Sequence, residues 1–80
     1  MRLDKYLKVS RLIKRRTIAN EACDAGKVAV NSKVARASLD VKIGDIIEIT
    51  FGERTTKVKV LKVPEVATKE GAVDCYEILN

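Results

Sequence analysis

The spacing of apolar positions along this chain shifts from a helical to a stranded period near Gly26. In "LDKYLKV", Leu3, Tyr6 and Leu7 fall on one side at about 100° per residue, with Arg2, Asp4, Lys5 and Lys8 on the other. This predicts a short helix. Ser10 and the following "RLIKRR" read as a connector in which Leu12 and Ile13 still turn inward. Thr17 offers an N-cap hydroxyl to a second helix, "IANEACDA", which stacks Ile18, Ala22 and Ala25 on its core stripe and leaves Asn20, Glu21 and Asp24 outside. Gly26 ends it, as glycine readily takes the left-handed position after a helix.

Beyond Gly26 the period becomes two. "KVAVNSKVA" sets Val28 and Val30 before a tight Asn31-Ser32 turn, which predicts a small hairpin. A turn at Gly44-Asp45 leads into a strand from Ile46 to Phe51, and Gly52-Glu53 turns into another, with Val58 and Val60 facing one way and Lys57 and Lys59 the other. Pro64 ends the meander, because proline cannot donate to the ladder. In the tail "EVATKEGAVDCYEILN", Ala72, Cys75, Tyr76 and Leu79 fit helical spacing, while alternation from Val73 to Ile78 fits a strand about as well; a short terminal helix is favoured. The expected fold class is α+β, with two short N-terminal helices packed on a small, mostly antiparallel sheet. Residues 1–63 are expected to form the domain and residues 64–80 an extension on or beside it.

Length and composition narrow this further. Eighty residues allow one domain with a small core, and a hydrophobic content of 46% is too high for disorder. The only aromatics are Tyr6, Tyr76 and Phe51, and Tyr6 is expected in the core with its hydroxyl at the surface. No apolar run approaches the ~20 residues of a membrane span, and the N-terminus lacks a signal core. A cytoplasmic protein is expected. Cys23 and Cys75 form no CxxC and there is no histidine, so both read as small core or near-core thiols; neither a metal nor a cofactor is expected.

Charge is unevenly spread. Residues 1–36 carry ten bases against three acids (Asp4, Glu21, Asp24), whereas the remainder carries six bases and eight acids. Such polarity suits a protein that docks one face on nucleic acid or an anionic membrane. Catalysis has little to stand on: the chain offers no histidine, Gly-rich phosphate loop, nucleophile elbow or carboxylate cluster. Asp40 and Asp45 sit beside turns, where aspartate usually bonds its own backbone. An enzyme is not expected.

Binding has far more. Arg2, Lys5 and Lys8 lie on the outward side of the first helix, while Arg11, Lys14, Arg15 and Arg16 occupy the connector and the start of the second. There, unpaired helix amides already favour phosphate. Lys33 adds non-specific attraction. These eight residues are the candidate RNA-binding set, the arginines foremost, since a guanidinium can grip phosphate bidentately or stack on an unpaired base. Lys27, Lys42, Lys57, Lys59, Lys62 and Lys69 are interleaved with acids and read as solvated surface. The acidic outward face of "IANEACDA" argues against a helix that reads duplex DNA.

The stretch "RLDKYLKVSRLIKRRTIANEACDAGKVAVNSKVARASLDVKIGDIIEI" resembles the RNA-binding domain named after ribosomal protein S-four. It has that family's Arg-Leu-Asp opening, helix pair, Gly-x-Val-x-Val-Asn hairpin and Gly-Asp-x-Ile strand. The resemblance covers residues 1 to about 51 and implies the helix-pair RNA-binding fold known as the alpha-L motif. As a stand-alone unit, the chain is similar to the RqcP-type ribosome quality-control family, relatives of the ribosome-associated heat-shock protein. That resemblance implies binding of obstructed large ribosomal subunits through large-subunit ribosomal RNA. It also implies stabilisation of P-site peptidyl-tRNA while an RqcH-type tailing factor on the same subunit drives template-free alanine tailing. The family's important arginines match Arg2 and Arg16. A monomer is expected. The alternatives are a heat-shock-type factor that recycles aborted large subunits and a general RNA-binding regulatory module. One departure is visible: the hairpin turn is Asn31-Ser32 where many relatives have Asn-Gly, and serine is less comfortable at positive φ.

Overall fold

The computed structural model describes residues 1–63 and 75–79. Two helices, α1 (Leu3–Val9) and α2 (Arg16–Asp24), precede strands β1 (Val28–Val30), β2 (Lys33–Val34), β3 (Ile46–Phe51), β4 (Arg54–Val60) and β5 (Tyr76–Ile78). The strands form one sheet in the order β2-β1-β3-β4-β5, and every pairing is antiparallel. This is the α+β arrangement expected from the change of period.

Register explains how an aliphatic chain builds a core here. Val30, Ile47, Val58 and Ile78 are successive cross-strand partners, so one row of β-branched side chains runs across four strands. Val28, Val30, Ile47, Ile49, Val58 and Val60 are buried, together with Leu3, Tyr6 and Leu7 of α1 and Ala19, Ala22 and Cys23 of α2. The next row, Ala29, Glu48 and Lys57, faces away, and the Lys57 ammonium lies 3.6 Å from the Glu48 carboxylate. One face of the sheet is dry and the other wet, as alternation demands.

The turns follow backbone chemistry. Asn31 and Ser32 have φ of 53° and 69°, which makes the β1–β2 connection a two-residue turn of the type whose twist matches a hairpin. Serine therefore does occupy the left-handed region here. Gly26, at φ 75°, closes α2: its N–H donates to the Cys23 carbonyl (3.0 Å), while the Lys27 N–H donates to that of Ala22 (2.9 Å). This is the paired-bond helix stop that glycine favours.

Several expectations are corrected. Helix α2 starts at Arg16 after an extended Arg15 and has no side-chain cap, so Thr17 lies inside the first turn rather than capping it. Its buried stripe is Ala19, Ala22 and Cys23; Ile18 is 43% exposed and Ala25 is at the surface. The stripe rotates because the three smallest inward side chains let α2 approach α1 and β1 closely. Ile18 instead borders a surface groove with Phe51. The tail is not helical where it is described: Tyr76–Ile78 is a strand, paired with the open edge of β4 as Val58↔Ile78 and Val60↔Tyr76. A few helical residues cannot nucleate well alone, whereas a ready strand edge supplies a ladder at once. Pro64, Lys69, Ala72 and Val73 lie outside the described residues.

Tyr6 is also deeper than expected. It is fully buried, and its hydroxyl donates to the Cys75 carbonyl at 2.7 Å, which also accepts from the N–H groups of Leu61 (2.8 Å) and Lys62 (3.1 Å). Burial, with Cys75 and Tyr76 nearby, pushes the phenol well above its ordinary ionisation range, so it remains a donor. Tyr6→Phe removes this staple between α1 and the start of β5, but leaves the carbonyl two donors. We expect a loss of about 1 kcal/mol in urea unfolding, with an unchanged m-value. Cys23 and Cys75 are both buried and not joined in a disulfide, as expected, and burial helped by Asp4 and Asp24 pushes the Cys23 thiol up to about 11.

Candidate nucleic-acid interface

The geometry of the basic face begins with an acid. Asp4 follows Leu3 in the first turn of α1, and its side chain is only 3% exposed, not outward as its helical phase suggested. The α1 N-terminus is strapped in place by the loop after β2: the Leu3 N–H donates to the Leu39 carbonyl (2.8 Å), Asp4 N–H to Ala37 (3.2 Å) and Val41 N–H to Met1 (2.8 Å). Asp40 in this loop takes the Met1 ammonium at 2.7 Å rather than bonding its own backbone, and that hydrogen bond lowers its pKa. Asp45 does cap its turn, accepting from the Lys42 N–H at 2.9 Å.

With Asp4 fixed, its carboxylate collects donors from both helices. Oδ1 accepts from the Lys5 N–H (2.8 Å) and Arg2 Nε (3.2 Å). Oδ2 accepts from Arg16 Nε (3.3 Å), Asn20 Nδ2 (3.4 Å) and Arg2 Nη2 (3.5 Å). Arg16 and Asn20 reach it together because they sit one turn apart on α2. Burial alone would raise the carboxyl pKa, but the bonds from Asn20, Arg16, Arg2 and Lys5 outweigh it and hold the pKa below the ordinary value of 3.8. Asp4 is thus charged, and it bridges α1 to α2 with an arginine from each side.

The two arginines remain about half exposed, at 52% for Arg2 and 47% for Arg16. Beside them, α2 begins without a side-chain cap and without an acid in its first turn, which leaves amides and a positive dipole end for an anion. A hollow of about 390 Å³ there is lined by Asp4, Arg16, Thr17, Asn20 and Glu21.

The remaining candidates surround this pair. Lys5 is half-buried, while Lys8, Arg11, Lys14 and Arg15 are exposed, and no ion pair among the described residues engages their side chains. Arg11 has φ 61° and follows α1, a left-handed position glycine usually fills, at a cost of about 1 kcal/mol. Lys33 stands apart on β2 at the sheet edge, where it lines a hollow of about 820 Å³ with Arg36 and Lys42 among others. The structure therefore brings Arg2 and Arg16 together through Asp4, and leaves Lys33 apart at the sheet edge, in a hollow that Asp40 and Asp45 also line. The sequence reading missed Asp4 and Asn20 as holders of the arginines. A signal existed: Asp4 lies three residues before Leu7, next to the apolar stripe, and it is the only acid among the first twenty residues.

This frame, a helix pair with exposed arginines on an antiparallel sheet, defines a class of protein. Residues 1–47 match the family model described as the S4 domain. The chain is 51% identical over its full 80 residues to the RQC P-site tRNA stabilizing factor of Streptococcus pneumoniae, covering 91% of that protein. Against the factor of the same name in Bacillus subtilis it is 49% identical, again over its whole length, and covers 93%. The chain belongs to the family of RQC P-site tRNA stabilizing factors within the S4 domain proteins. Among solved structures, the trimeric heat shock protein 15 of Vibrio cholerae superimposes with a TM-score of 0.91 at 29% identity, over 99% of this chain and 81% of that one.

Proposed function

We propose that this chain is an RNA-binding factor of ribosome quality control that engages obstructed large ribosomal subunits and holds peptidyl-tRNA in the P site. The observation that carries this reading is the arginine pair. Arg2, just before α1, and Arg16, in α2, are gathered on one carboxylate, on a face whose other bases have no ion pair among the described residues, in a chain about half identical to factors of that name. A phosphate-rich groove between ribosomal RNA and tRNA needs such a face and no reaction centre. Lys5, Lys8, Arg11, Lys14 and Arg15 extend the contact, and Lys33 adds attraction from the sheet edge.

The mechanism is thermodynamic. A protein that binds the subunit only with tRNA in place stabilises that state by mass action, and so lengthens the time available to an RqcH-type tailing factor on the same subunit. In this reading the chain is not an enzyme, works in the cytoplasm and acts as a monomer, although its solved Vibrio cholerae relative is trimeric. Residues 1–63 supply the RNA face and residues 64–80 complete the unit.

The test is to fractionate cells on a sucrose gradient at moderate salt and sequence the RNA travelling with the tagged protein. Large-subunit RNA together with tRNA, without equal small-subunit RNA, is expected; messenger RNA, DNA or no nucleic acid would overturn the reading. A second reading, recycling of aborted large subunits, draws on the likeness to heat shock protein 15. It predicts that C-terminal alanine tails persist when the gene is deleted, whereas the first predicts their loss.

A further inference from the structure

We infer that Asp4 is a positioning residue, whose buried carboxylate sets Arg2 and Arg16 side by side as one preformed receptor for an RNA phosphate. This rests on the RNA-binding reading above and adds to it a negatively charged residue that no charge count would select. The buried carboxylate receives five N–H contacts from four residues, which fills its roughly four lone-pair sites and leaves one of them shared. Its charge is thereby neutralised at short range, so the pair of guanidinium groups is held together with little mutual repulsion.

The geometry fits this role. Arg16 meets Asp4 through Nε alone, and among the described residues neither of its Nη groups has a protein partner. A terminal edge is left for the ligand. Arg2 uses Nε and one Nη, at 3.2 and 3.5 Å, which fixes the plane of its guanidinium. A free arginine loses much side-chain freedom when it grips a phosphate, and here that ordering is completed on folding. Asn20, which donates to the same oxygen as Arg16, keeps the carboxylate from turning away.

The sign of a single substitution separates positioning from simple charge. Asp4→Asn raises the net charge from its present +5 by one, and general electrostatics then demands tighter RNA binding. Positioning demands the opposite. With the full chain and fluorescently labelled tRNA at fixed ionic strength, we expect Asp4→Asn to bind about fivefold more weakly or worse. Asp24→Asn, an equal charge change at an exposed position, is expected to bind as tightly as the parent or tighter. In an Arg2→Ala/Arg16→Ala background, Asp4→Asn should cause no further loss, because there is nothing left to position.

Circular dichroism checks the fold of each variant. Should Asp4→Asn not fold, Asp4→Glu serves instead: it keeps the charge but moves the carboxylate by one methylene, and the same weakening is expected at unchanged net charge. Parent-level or tighter binding by the folded Asp4 variant would overturn the positioning role and leave the RNA-binding reading standing. A parent protein with no measurable affinity for tRNA would overturn both.

Discussion

Arg16→Ala cuts the retention of this protein on large ribosomal subunits about tenfold or more, as expected when a charge-assisted contact to phosphate is lost. Lys62→Ala, which removes an exposed lysine from the solvated set, changes retention less than about twofold. The contrast is informative because both substitutions remove one positive charge. A difference between them measures place, not net charge. The fold is expected to survive Arg16→Ala, since Asp4 keeps its donors from Arg2, Asn20 and Lys5 and alanine is the best helix former at the start of α2. Co-sedimentation across a salt series supplies the second readout. A lost phosphate contact lowers the slope of log affinity against log salt by about one. Equal effects of Arg16→Ala and Lys62→Ala would remove the helix-pair face from the site.

Why the sequence reveals some of this and conceals the rest follows from the range of each interaction. The β1–β2 hairpin, the start of β3 and the stop of α2 are set by residues adjacent in sequence, Asn31-Ser32, Gly44-Asp45 and Gly26, and all three are legible. The inward rows of β3 and β4 are legible for the same reason, because period two is a local signal. The α2 stripe is less so: helical phase allowed Ile18, Ala22 and Ala25, and only close packing on α1 selects Ala19, Ala22 and Cys23. The strand at Tyr76–Ile78 depends on the edge of β4, sixteen or more residues away, and on the three donors meeting at the Cys75 carbonyl. No periodicity within "CYEIL" encodes those partners.

The site divides in the same way. That Arg2 and Arg16 lie on the basic side could be read from charge and phase, and the match to family arginines strengthened it. That they touch one buried carboxylate was only faintly signalled, because an aspartate between Leu3 and Lys5, with Arg2 just before, looks solvated until the loop at residues 37–41 closes over the start of α1. Here an acid strengthens a phosphate-binding face by ordering it, and counting charges along the chain would have scored it against the site.

Ile47→Ala is expected to remove a large share of the domain's stability. Ile47 is fully buried near the start of β3, the central strand of the sheet, in register between Val30 on one side and Val58 on the other. Truncation leaves a void bounded by β-branched side chains that are stiff and cannot easily fill it, which puts the loss at about 3 kcal/mol. A domain of this size has roughly 4–12 kcal/mol in total, so that loss is a large share. It should lower Tm by roughly 12–24 °C, at about 4–8 °C for each kcal/mol. Ile43→Ala is the matching control, since Ile43 is 70% exposed and its truncation should stay within about 0.5 kcal/mol. Thermal melts followed by circular dichroism decide it. A small shift for Ile47→Ala would mean that the row from Val30 to Ile78 is not the seam joining sheet to helices, whereas a large one makes the sheet the platform on which the arginine pair is held.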